Sequence, residues 1–501
     1  MRLLQRILLP FLLAALLVLG SCTESGPVTG ESSAPETTAP SATKPPETET
    51  APAETEETEP EKEKAPEPQR RVTAYFANWY AYDGKGAGDG EVAGIPWDKV
   101  TAVNHSFWKV APAAGESVSS VERRASGKGP RSEFKLVPCD EHADFHNSEP
   151  SEFLDGVTKS HFDQYPIMAE KYPEVNVMLS VGGWSDSGFF SEMAYTEEGR
   201  ASFIKSCMEV LSEYSWLDGI DLDWEFNAGG SSGKDRNSSG SSDDGCPVWG
   251  TAQEDRDNFT ALCREMREAF DAKYGKDVIP ITAAASGSAK YILPNQDWVS
   301  PAQYLTRINV MTYDMTGSYD GATGHVASLT HVKEAYEYLT GLGIPASKLY
   351  MGTQLYGKAF YVTGDEFPEK TIGVSCLKKP PSSGGESIRQ LHLKRFELDA
   401  VSGYYTKVEN GRVVMDGRFD YGGKGWHYDY DAEQGAAYMY NDDPDSEYYR
   451  WWISYESALS LQDKLDFMEE HGILGMIVWA SNLDTADYEK MTQIRYGPGG
   501  R

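Results

Sequence analysis

The chain has 501 residues, which is enough for one large domain with additions or for two to three domains. Its formal net charge of −31 argues against a nucleic-acid backbone as partner, and a neutral polymer or a small neutral ligand fits better. The 12 Trp and 29 Tyr are many for this length, but composition alone does not separate core packing from the stacking of flat rings on sugars.

The first 21 residues are typical of an export signal. Arg2 and Arg6 precede an apolar run from residue 7 to 19, which is short for a membrane span. The following Leu-Gly-Ser-Cys resembles the bacterial lipoprotein signal, in which the cysteine is lipid-modified and becomes the first mature residue. We therefore expect residues 1–21 to be a lipoprotein signal peptide, with Cys22 as the lipid attachment site. An ordinary secretory signal or an uncleaved anchor is the alternative.

Residues 22–70 are predicted to be a disordered linker. They are rich in Pro, Thr and Glu and contain almost no large apolar residue. Such a segment cannot bury enough apolar surface to fold, and proline together with like charges keeps it extended. We interpret it as a stalk that holds a folded head away from a bacterial membrane, outside the cytoplasm.

Eight stretches predict β-strands, most of them separated by helical patterns. The strands are predicted at residues 72–80, 100–110, 175–184, 216–226, 278–286, 307–315, 349–357 and 475–480. Alternating strands and helices imply a parallel sheet, and eight strands imply a closed (β/α)8 barrel, an α/β fold. The clearest helical patterns cover residues 198–214, 253–272, 331–342 and 457–471, whereas residues 111–160 are expected to form long loops.

One segment breaks the alternation, so the barrel is assigned to residues 71–360 and 451–501. Residues 361–450, between the seventh strand and its helix, are too many for a loop and contain short alternating runs. We interpret them as a small α+β insertion domain on the carboxyl-terminal face of the barrel, forming one wall of a cleft. A peripheral insertion unrelated to any cleft is the alternative.

The stretch around the fourth predicted strand contains the candidate catalytic acids. Read with a period of two, Asp221, Asp223 and Glu225 share one face, and large apolar residues occupy the other. If that face is buried, the carboxylates repel one another and each needs hydrogen-bonding or charged partners. Such an arrangement favours coupled functional acids at the mouth of a barrel over a purely structural strand. The alternative is an exposed strand with a solvated acidic face.

Several motifs occur in one order along the predicted strands: Tyr75-Phe-Ala-Asn-Trp79, Ser180-Val-Gly-Gly183, Asp218-x-x-Asp221-x-Asp223-x-Glu225, Met311-Thr-Tyr-Asp314, Ile453-Ser-Tyr-Glu456 and Trp479. Their identity and order resemble glycoside hydrolase family 18, the chitinase family, over roughly residues 71–495. With its N-terminal signal the chain resembles a bacterial lipoprotein member. The segment 361–450 is similar to the inserted domain of the subgroup with deep, tunnel-like clefts.

The resemblance assigns roles to five polar residues. Glycoside hydrolysis ordinarily uses two carboxyl groups, but Asp223 and Glu225 lie ~6.6 Å apart along one strand and approach a sugar from the same side. The family is substrate-assisted, so the 2-acetamido oxygen of the sugar attacks instead. Glu225 is then the acid and base, Asp223 orients the acetamido group, and Asp221 shares protons with Asp223. Tyr313 hydrogen-bonds the acetamido group and Asp314 helps to hold the substrate.

The resemblance also implies a set of substrate-binding side chains, for each of which core packing is the rival interpretation. Trp479 is expected under the distorted sugar. The other expected lining residues are Tyr75, Phe107, Trp184, Met311 and Tyr356, whereas Ser180, Gly182 and Gly183 are expected to shape a strand end.

Two positions depart from the family pattern. His105 stands where a Tyr is common, and Lys358 replaces an Arg, so the charge remains but the planar fork is lost.

Beyond Cys22 there are five cysteines, an odd number, and Cys246 could close a loop with Cys263. No metal-ligand spacing occurs among the Cys and the nine His, and we expect no metal and no cofactor.

The resemblance implies hydrolysis of β-1,4-linked N-acetylglucosamine polymers, chitin and its oligosaccharides, with retention. The expected partners are such a polysaccharide and, through the lipid, a membrane; we expect a monomer. Two alternatives stay open: an endo-N-acetylglucosaminidase acting on N-glycans or peptidoglycan, and a chitinase-like lectin without turnover. The presence of Glu225 argues against the lectin, because lectin relatives commonly lose the acid.

Overall fold

The computed structural model describes residues 70–82, 90–113, 118–228, 248–364, 367–368, 371–378, 406–409, 412–415, 425–446, 448–484 and 488–498. These residues belong to one compact unit, Pro68–Arg501. The predicted signal peptide, Cys22, the linker up to residue 69 and Cys246 lie outside the described residues. Within the described part of the chain, no helix has the length and apolar content that crossing a bilayer requires.

The described strands are numbered in chain order. They are β1 Arg71–Ala77, β2 Ala102–Pro112, β3 Phe134–Pro138, β4 Asn176–Gly182, β5 Gly219–Asp223, β6 Ile281–Ser286, β7 Arg307–Met311, β8 Leu349–Gln354, β9 Lys358–Tyr361, β10 Thr406–Glu409, β11 Arg412–Met415, β12 Trp426–Asp431, β13 Ala436–Asn441, β14 Trp451–Tyr455 and β15 Gly475–Trp479.

Eight of these strands close into a parallel barrel, which confirms the predicted (β/α)8 fold. Around the barrel the order is β1, β15, β8, β7, β6, β5, β4 and β2, and pairing of β2 with β1 completes the ring. Each corresponds to one predicted strand. Strands β5, β6 and β8 are buried along their whole length, as expected for strands covered by side chains inside and helices outside.

The described helices surround the barrel. They are α1 Ser120–Ala125, α2 His161–Lys171, α3 Phe190–Tyr195, α4 Glu197–Glu213, α5 Ala252–Tyr274, α6 Val299–Ala302, α7 Leu329–Gly341, α8 Ala458–Glu470 and α9 Glu489–Tyr496. The four predicted helices correspond to α4, α5, α7 and α8. A side-chain cap fixes the start of α5, where Thr251 and Glu254 form a reciprocal capping box. Its buried face carries Phe259, Leu262, Met266 and Phe270.

A second sheet occupies the segment between β8 and α8. Strands β12, β13, β14 and β9 form it in that order, all antiparallel, and β10 with β11 forms a separate hairpin. The sheet begins at Lys358 and ends at Tyr455, whereas the predicted insertion domain covers residues 361–450. The described residues of this segment form strands and turns, and the helical part of the predicted α+β module has no counterpart among them.

The predicted loop region 111–160 contains regular structure. Strand β2 continues past the barrel to Pro112, and its free end pairs with β3 in antiparallel fashion. A single π-helical turn, His142–His146, precedes α2. The alternation in β3 covers only five residues, too few to stand out from the polar sequence around it.

Candidate active site

The carboxylate of Asp221 is buried inside the barrel and accepts hydrogen bonds from four other barrel strands. Its donors are the Tyr75 hydroxyl at 3.0 Å, the Ser180 hydroxyl at 2.8 Å, the Asn309 amide at 2.9 Å and the hydroxyl of Thr282. Because every donor comes from a different strand, Asp221 ties β1, β4, β6 and β7 together below the cleft floor. It is fully buried, so it acts on a bound sugar only through its neighbours.

Tyr75 is therefore placed differently from the expectation. Its side chain is 2% exposed and its hydroxyl binds Asp221 and lies 3.2 Å from the Asn309 amide. The ring lies beside Trp479, with centroids 5.6 Å apart. Tyr75 supports the floor of the cleft from below and does not line it.

Asp223 lies one layer above Asp221, at the carboxyl end of β5. It is almost completely buried, and its Oδ1 has no hydrogen-bond partner among the described residues. Burial raises its pKa well above the usual value, and the charges of Glu225 and then Asp221 raise the pKa further. Of these two charges Glu225 has the larger effect on the pKa of Asp223, and the sharing of protons between Asp221 and Asp223 stays a prediction. An orphaned acceptor at this depth suits a ligand that brings its own N–H group.

The backbone around the two acids is held by the end of β4. Gly183 donates its N–H to the Asp223 carbonyl at 2.8 Å, and the Ser187 hydroxyl accepts from the Glu225 N–H at 3.1 Å. Gly182 has φ +108°, and a Cβ there would lie 2.3 Å from the Asp223 carbonyl oxygen. Gly182 therefore shapes the strand end, because no larger residue fits that close to β5, and a Cβ on Gly183 would meet the Phe107 ring instead.

Glu225 lies two residues beyond the end of β5 and is partly exposed to the cleft. Desolvation and the nearby charge of Asp314 raise the pKa of Glu225 to about 8, so its carboxyl group carries a proton at neutral pH. Burial and the same acids raise the pKa of Tyr313 well above its usual value, which keeps its hydroxyl a donor. A proton donor, a second protonatable acid and a phenol thus converge on one space.

Asp314 is held at the cleft wall by two partners from the β8–β9 region. Tyr356 donates its hydroxyl to Oδ1 of Asp314 at 2.5 Å, and Lys358 Nζ lies 2.6 Å from the same oxygen. The backbone of Asp314 has φ +60°, a left-handed conformation that Asp tolerates better than most residues. Lys358, where the family commonly has Arg, therefore serves to fix Asp314.

Two cavities meet at Glu225. One, of about 340 Å³, lies over Asp223, and the other, of about 590 Å³, extends past Phe226 toward Lys358. Glu225 lines both, so a bound chain that fills the two cavities passes its carboxyl group. The smaller cavity is also lined by the predicted residues Phe107, Trp184, Met311, Tyr313, Asp314, Tyr356 and Trp479.

Aromatic rings form the floor and the entrance of the smaller cavity. Trp479 stacks on Phe107 with centroids 5.7 Å apart, and Trp79 lies 6.0 Å from Trp479. Trp79 is 43% exposed and lines the cavity, although sequence reasoning did not name it as a site residue. Its place at the end of the first-strand motif was the available signal. Cis peptide bonds precede Phe107, Phe226 and Ala480.

The sequence model of the glycosyl hydrolases of family 18 matches residues 71–484. The chain belongs to this family. It is 26% identical over 431 residues to an endochitinase of Manduca sexta, covering 83% of this chain and 64% of that protein. It is 24% identical over 471 residues to chitinase ChiA of Flavobacterium johnsoniae, covering 84% of this chain and 27% of that protein. The chain thus spans less than two thirds of either relative.

Solved structures of chitinases share the fold of this chain. The Group IV chitinase of Ostrinia furnacalis, solved in complex with allosamidin, matches with a TM-score of 0.59 at 22% identity, over 82% of this chain and 92% of that chain. Chitinase ChiA74 of Bacillus thuringiensis matches with a TM-score of 0.61 at 22% identity, over 83% of this chain and 66% of that chain.

The other departure from the family-18 pattern, His105, lies outside the cleft. Its side chain is 1% exposed and packs against Phe162 and Tyr165 of α2. Among the described residues, four cysteines are free: Cys139, Cys207, Cys263 and Cys376.

Proposed function

We propose that this chain hydrolyses β-1,4-linked N-acetylglucosamine polymers, chitin and its oligosaccharides, with retention of configuration by substrate-assisted catalysis. The observation that carries the proposal is the position of Glu225, a carboxyl group of raised pKa where two cavities meet, beside the buried acid Asp223. Family membership and the chitinases among the relatives support the same chemistry.

Bond cleavage begins with a proton from Glu225. The proton passes to the glycosidic oxygen while the bond from the anomeric carbon to that oxygen breaks. The 2-acetamido oxygen of the same sugar forms a bond to the anomeric carbon, which gives an oxazolinium ion. Water then attacks the anomeric carbon, the Glu225 carboxylate takes one of its protons, and the acetamido group and the acid are restored.

Asp223 and Tyr313 hold the acetamido group in this scheme. The unpartnered Oδ1 of Asp223 accepts its N–H and stabilises the positive charge that develops on the oxazolinium ring. The protonated Tyr313 hydroxyl donates to the acetamido oxygen and orients it toward the anomeric carbon. Asp223 is a poor nucleophile because it lies on the same side of the sugar as Glu225.

The aromatic cleft suits a neutral polymer. Trp479 provides a flat surface below the reacting sugar, and the exposed Trp184 lines both cavities, so sugars on either side of the broken bond contact apolar rings. Cavities that continue on both sides of Glu225 favour cleavage within a chain, and chitin is the simplest polymer with an acetamido group on every sugar.

An endo-N-acetylglucosaminidase acting on N-glycans or peptidoglycan and a non-hydrolytic lectin are the competing functions. Digestion of chitin hexamer, a glycoprotein and peptidoglycan side by side, with the products sized by mass spectrometry, distinguishes the three. We expect short N-acetylglucosamine oligomers from chitin at a rate at least about tenfold above that on the other polymers. Release of N-glycans or muropeptides without chitin cleavage contradicts the proposal, as does binding without any product.

We further propose that the chain is a monomer held outside the cytoplasm by a lipid on Cys22. The proposal is supported by the N-terminal sequence, with its short apolar run and Leu-Gly-Ser-Cys. Labelling of bacteria with an alkyne fatty acid tests the lipid attachment. The wild-type chain should be labelled and should fractionate with membranes, whereas the Cys22→Ser variant should be unlabelled and should not fractionate with membranes. Equal labelling of both chains contradicts it.

A further inference from the structure

A buried cluster of His105, Asp144 and His161 lies outside the cleft and takes no part in the chemistry above. The three side chains come from β2, the π-helical turn and α2, and all are at most 1% exposed. Oδ1 of Asp144 lies 3.0 Å from Nε2 of His105 and 3.3 Å from Nδ1 of His161. One ligand atom from each residue lies within 4.8 Å of the others.

Each of these residues also has a hydrogen-bond partner on the side that faces away from the centre of the cluster. His161 Nε2 donates to the Gly90 carbonyl at 3.1 Å, His105 Nδ1 lies 3.1 Å from the Tyr165 hydroxyl, and Asp144 Oδ2 accepts from the Trp108 indole at 2.9 Å. The three remaining atoms therefore face one another in a fixed orientation. Outer partners of this kind, on the far nitrogen of each histidine and the far oxygen of the carboxylate, accompany metal ligands in proteins.

The hydrogen-bond partners around the cluster leave its central ligand atoms available for a cation. A carbonyl oxygen only accepts, so the bond to Gly90 places a hydrogen on Nε2 of His161. Nδ1 of His161 points toward the Asp144 carboxylate oxygen 3.3 Å away, so these two atoms can share one bound cation. In addition, Nε2 of His105 is buried without a hydrogen-bond partner of acceptable geometry among the described residues.

We propose that His105, Asp144 and His161 bind a divalent transition metal, zinc by preference. Two imidazoles and one carboxylate are a ligand set that zinc takes, and imidazole suits neighbouring metals such as nickel and copper as well. A tetrahedral ion about 2.0–2.1 Å from each ligand separates neighbouring ligand atoms by about 3.3 Å. The two separations from Asp144 Oδ1 lie close to that value. Three protein ligands leave one position for water.

The site would join three parts of the chain that sequence alone does not connect. It ties β2 to α2 and to the turn before it, on the outer side of the barrel wall. Phe107, two residues beyond His105 on β2, lines the cleft, so the ion would stabilise the wall that carries this ring. The expectation of no metal came from sequence spacing, which does not show that these three residues converge.

The test measures metal in the full chain, purified without a polyhistidine tag from medium supplemented with first-row transition metals. We expect about one equivalent of metal per chain by mass spectrometry of the acid-digested protein, and at least about tenfold less in Asp144→Asn and His161→Gln. The control His142→Ala/His146→Ala removes two exposed histidines of the same turn and should keep the metal.

A second measurement uses the wild-type chain alone, in case the ligand variants do not fold. Chelator-treated protein should regain the lost fraction of its Tm on addition of zinc and should take up Co²⁺ with the visible absorption of a tetrahedral histidine site. Folded wild-type protein with less than about a tenth of an equivalent of metal, and the same Tm with and without zinc, overturns the proposal. Loss of metal in the control variant but not in the ligand variants overturns it equally.

Discussion

The Tyr75 hydroxyl donates to Asp221 at 3.0 Å, and this bond places a residue expected in the cleft beneath it instead. Asp221 in turn lies below Asp223, and its charge contributes to the raised pKa of that acid. The acidic motif thus has a vertical order: the fully buried Asp221 as a support, the deeply placed Asp223, which we propose binds the acetamido group, and the partly exposed Glu225, the proposed proton donor.

Thr282→Val tests the support. The substitution keeps the volume but removes a hydroxyl that donates to Asp221 inside the barrel. We expect a loss of about 1–3 kcal/mol in the free energy of unfolding, because a buried carboxylate loses one donor, together with a lower kcat. Thr260→Val is the matched control, since the Thr260 hydroxyl is buried without a partner among the described residues. Equal stability of the two variants in denaturant unfolding would show that the network does not support Asp221.

The alkaline limit of activity follows from Glu225. Because its pKa is raised to about 8, the acid form is lost as the pH rises through that value, and kcat/KM should fall about tenfold per pH unit above it. The charge of Asp314 raises this pKa, so Asp314→Asn should move the limit to lower pH. Asp257→Asn, an exposed acid on α5, should leave it in place. The measurement is the pH profile of kcat/KM on a fluorogenic chitobioside. An alkaline limit in Asp314→Asn that stays in place or moves to higher pH contradicts the effect of the Asp314 charge on the pKa of Glu225.

An oxazoline-mimicking thiazoline tests the nucleophile. It should inhibit competitively, because the acetamido group of the substrate closes the same ring, and Asp223→Asn should weaken this inhibition about tenfold or more while lowering kcat. Asp257→Asn again serves as control. A thiazoline that occupies the site, seen by calorimetry, without slowing hydrolysis points instead to direct attack by a carboxylate.

Trp184 offers a test of the sugar-binding surface. The ring is 41% exposed and lines both cavities, so Trp184→Ala removes an apolar contact with little cost to the fold. We expect oligosaccharide binding to weaken by about 1.5–2 kcal/mol, about 10- to 30-fold in Kd. Phe153→Ala, an exposed aromatic that lines neither cavity, should bind as the wild type does. Calorimetry that shows equal Kd values for the two variants removes Trp184 from the site.

The barrel was predictable because its signal is local. Each barrel strand is a short apolar run followed by a helical pattern, and the acids in β5 alternate with apolar residues in a way few scaffold strands do. The four donors to Asp221 were not predictable as a set, because they come from strands up to 146 positions away. The His105 cluster is hidden for the same reason. Strand β3 was missed since five alternating residues carry too little signal.

The boundaries of the second sheet show a different limit. Lys358 comes four residues after Gln354, where the seventh barrel strand ends, and only its pairing with Ser454 reveals that it belongs to another sheet. Trp79 belongs to the first-strand motif, but a tryptophan within a strand pattern usually packs in the hydrophobic core. Its 43% exposure at the cavity is a property of the closed barrel and not of the local sequence.

Glu225→Gln tests the central claim most directly, because it removes the transferable proton and keeps the shape and hydrogen-bonding groups of the side chain. Chitin hexamer should be bound with a Kd close to that of the wild type, while turnover falls by at least about 10³-fold. Glu198→Gln, an exposed residue of α4, should change neither value. Hydrolysis by Glu225→Gln at the wild-type rate, in protein shown to be free of contaminating glycosidase, contradicts the account.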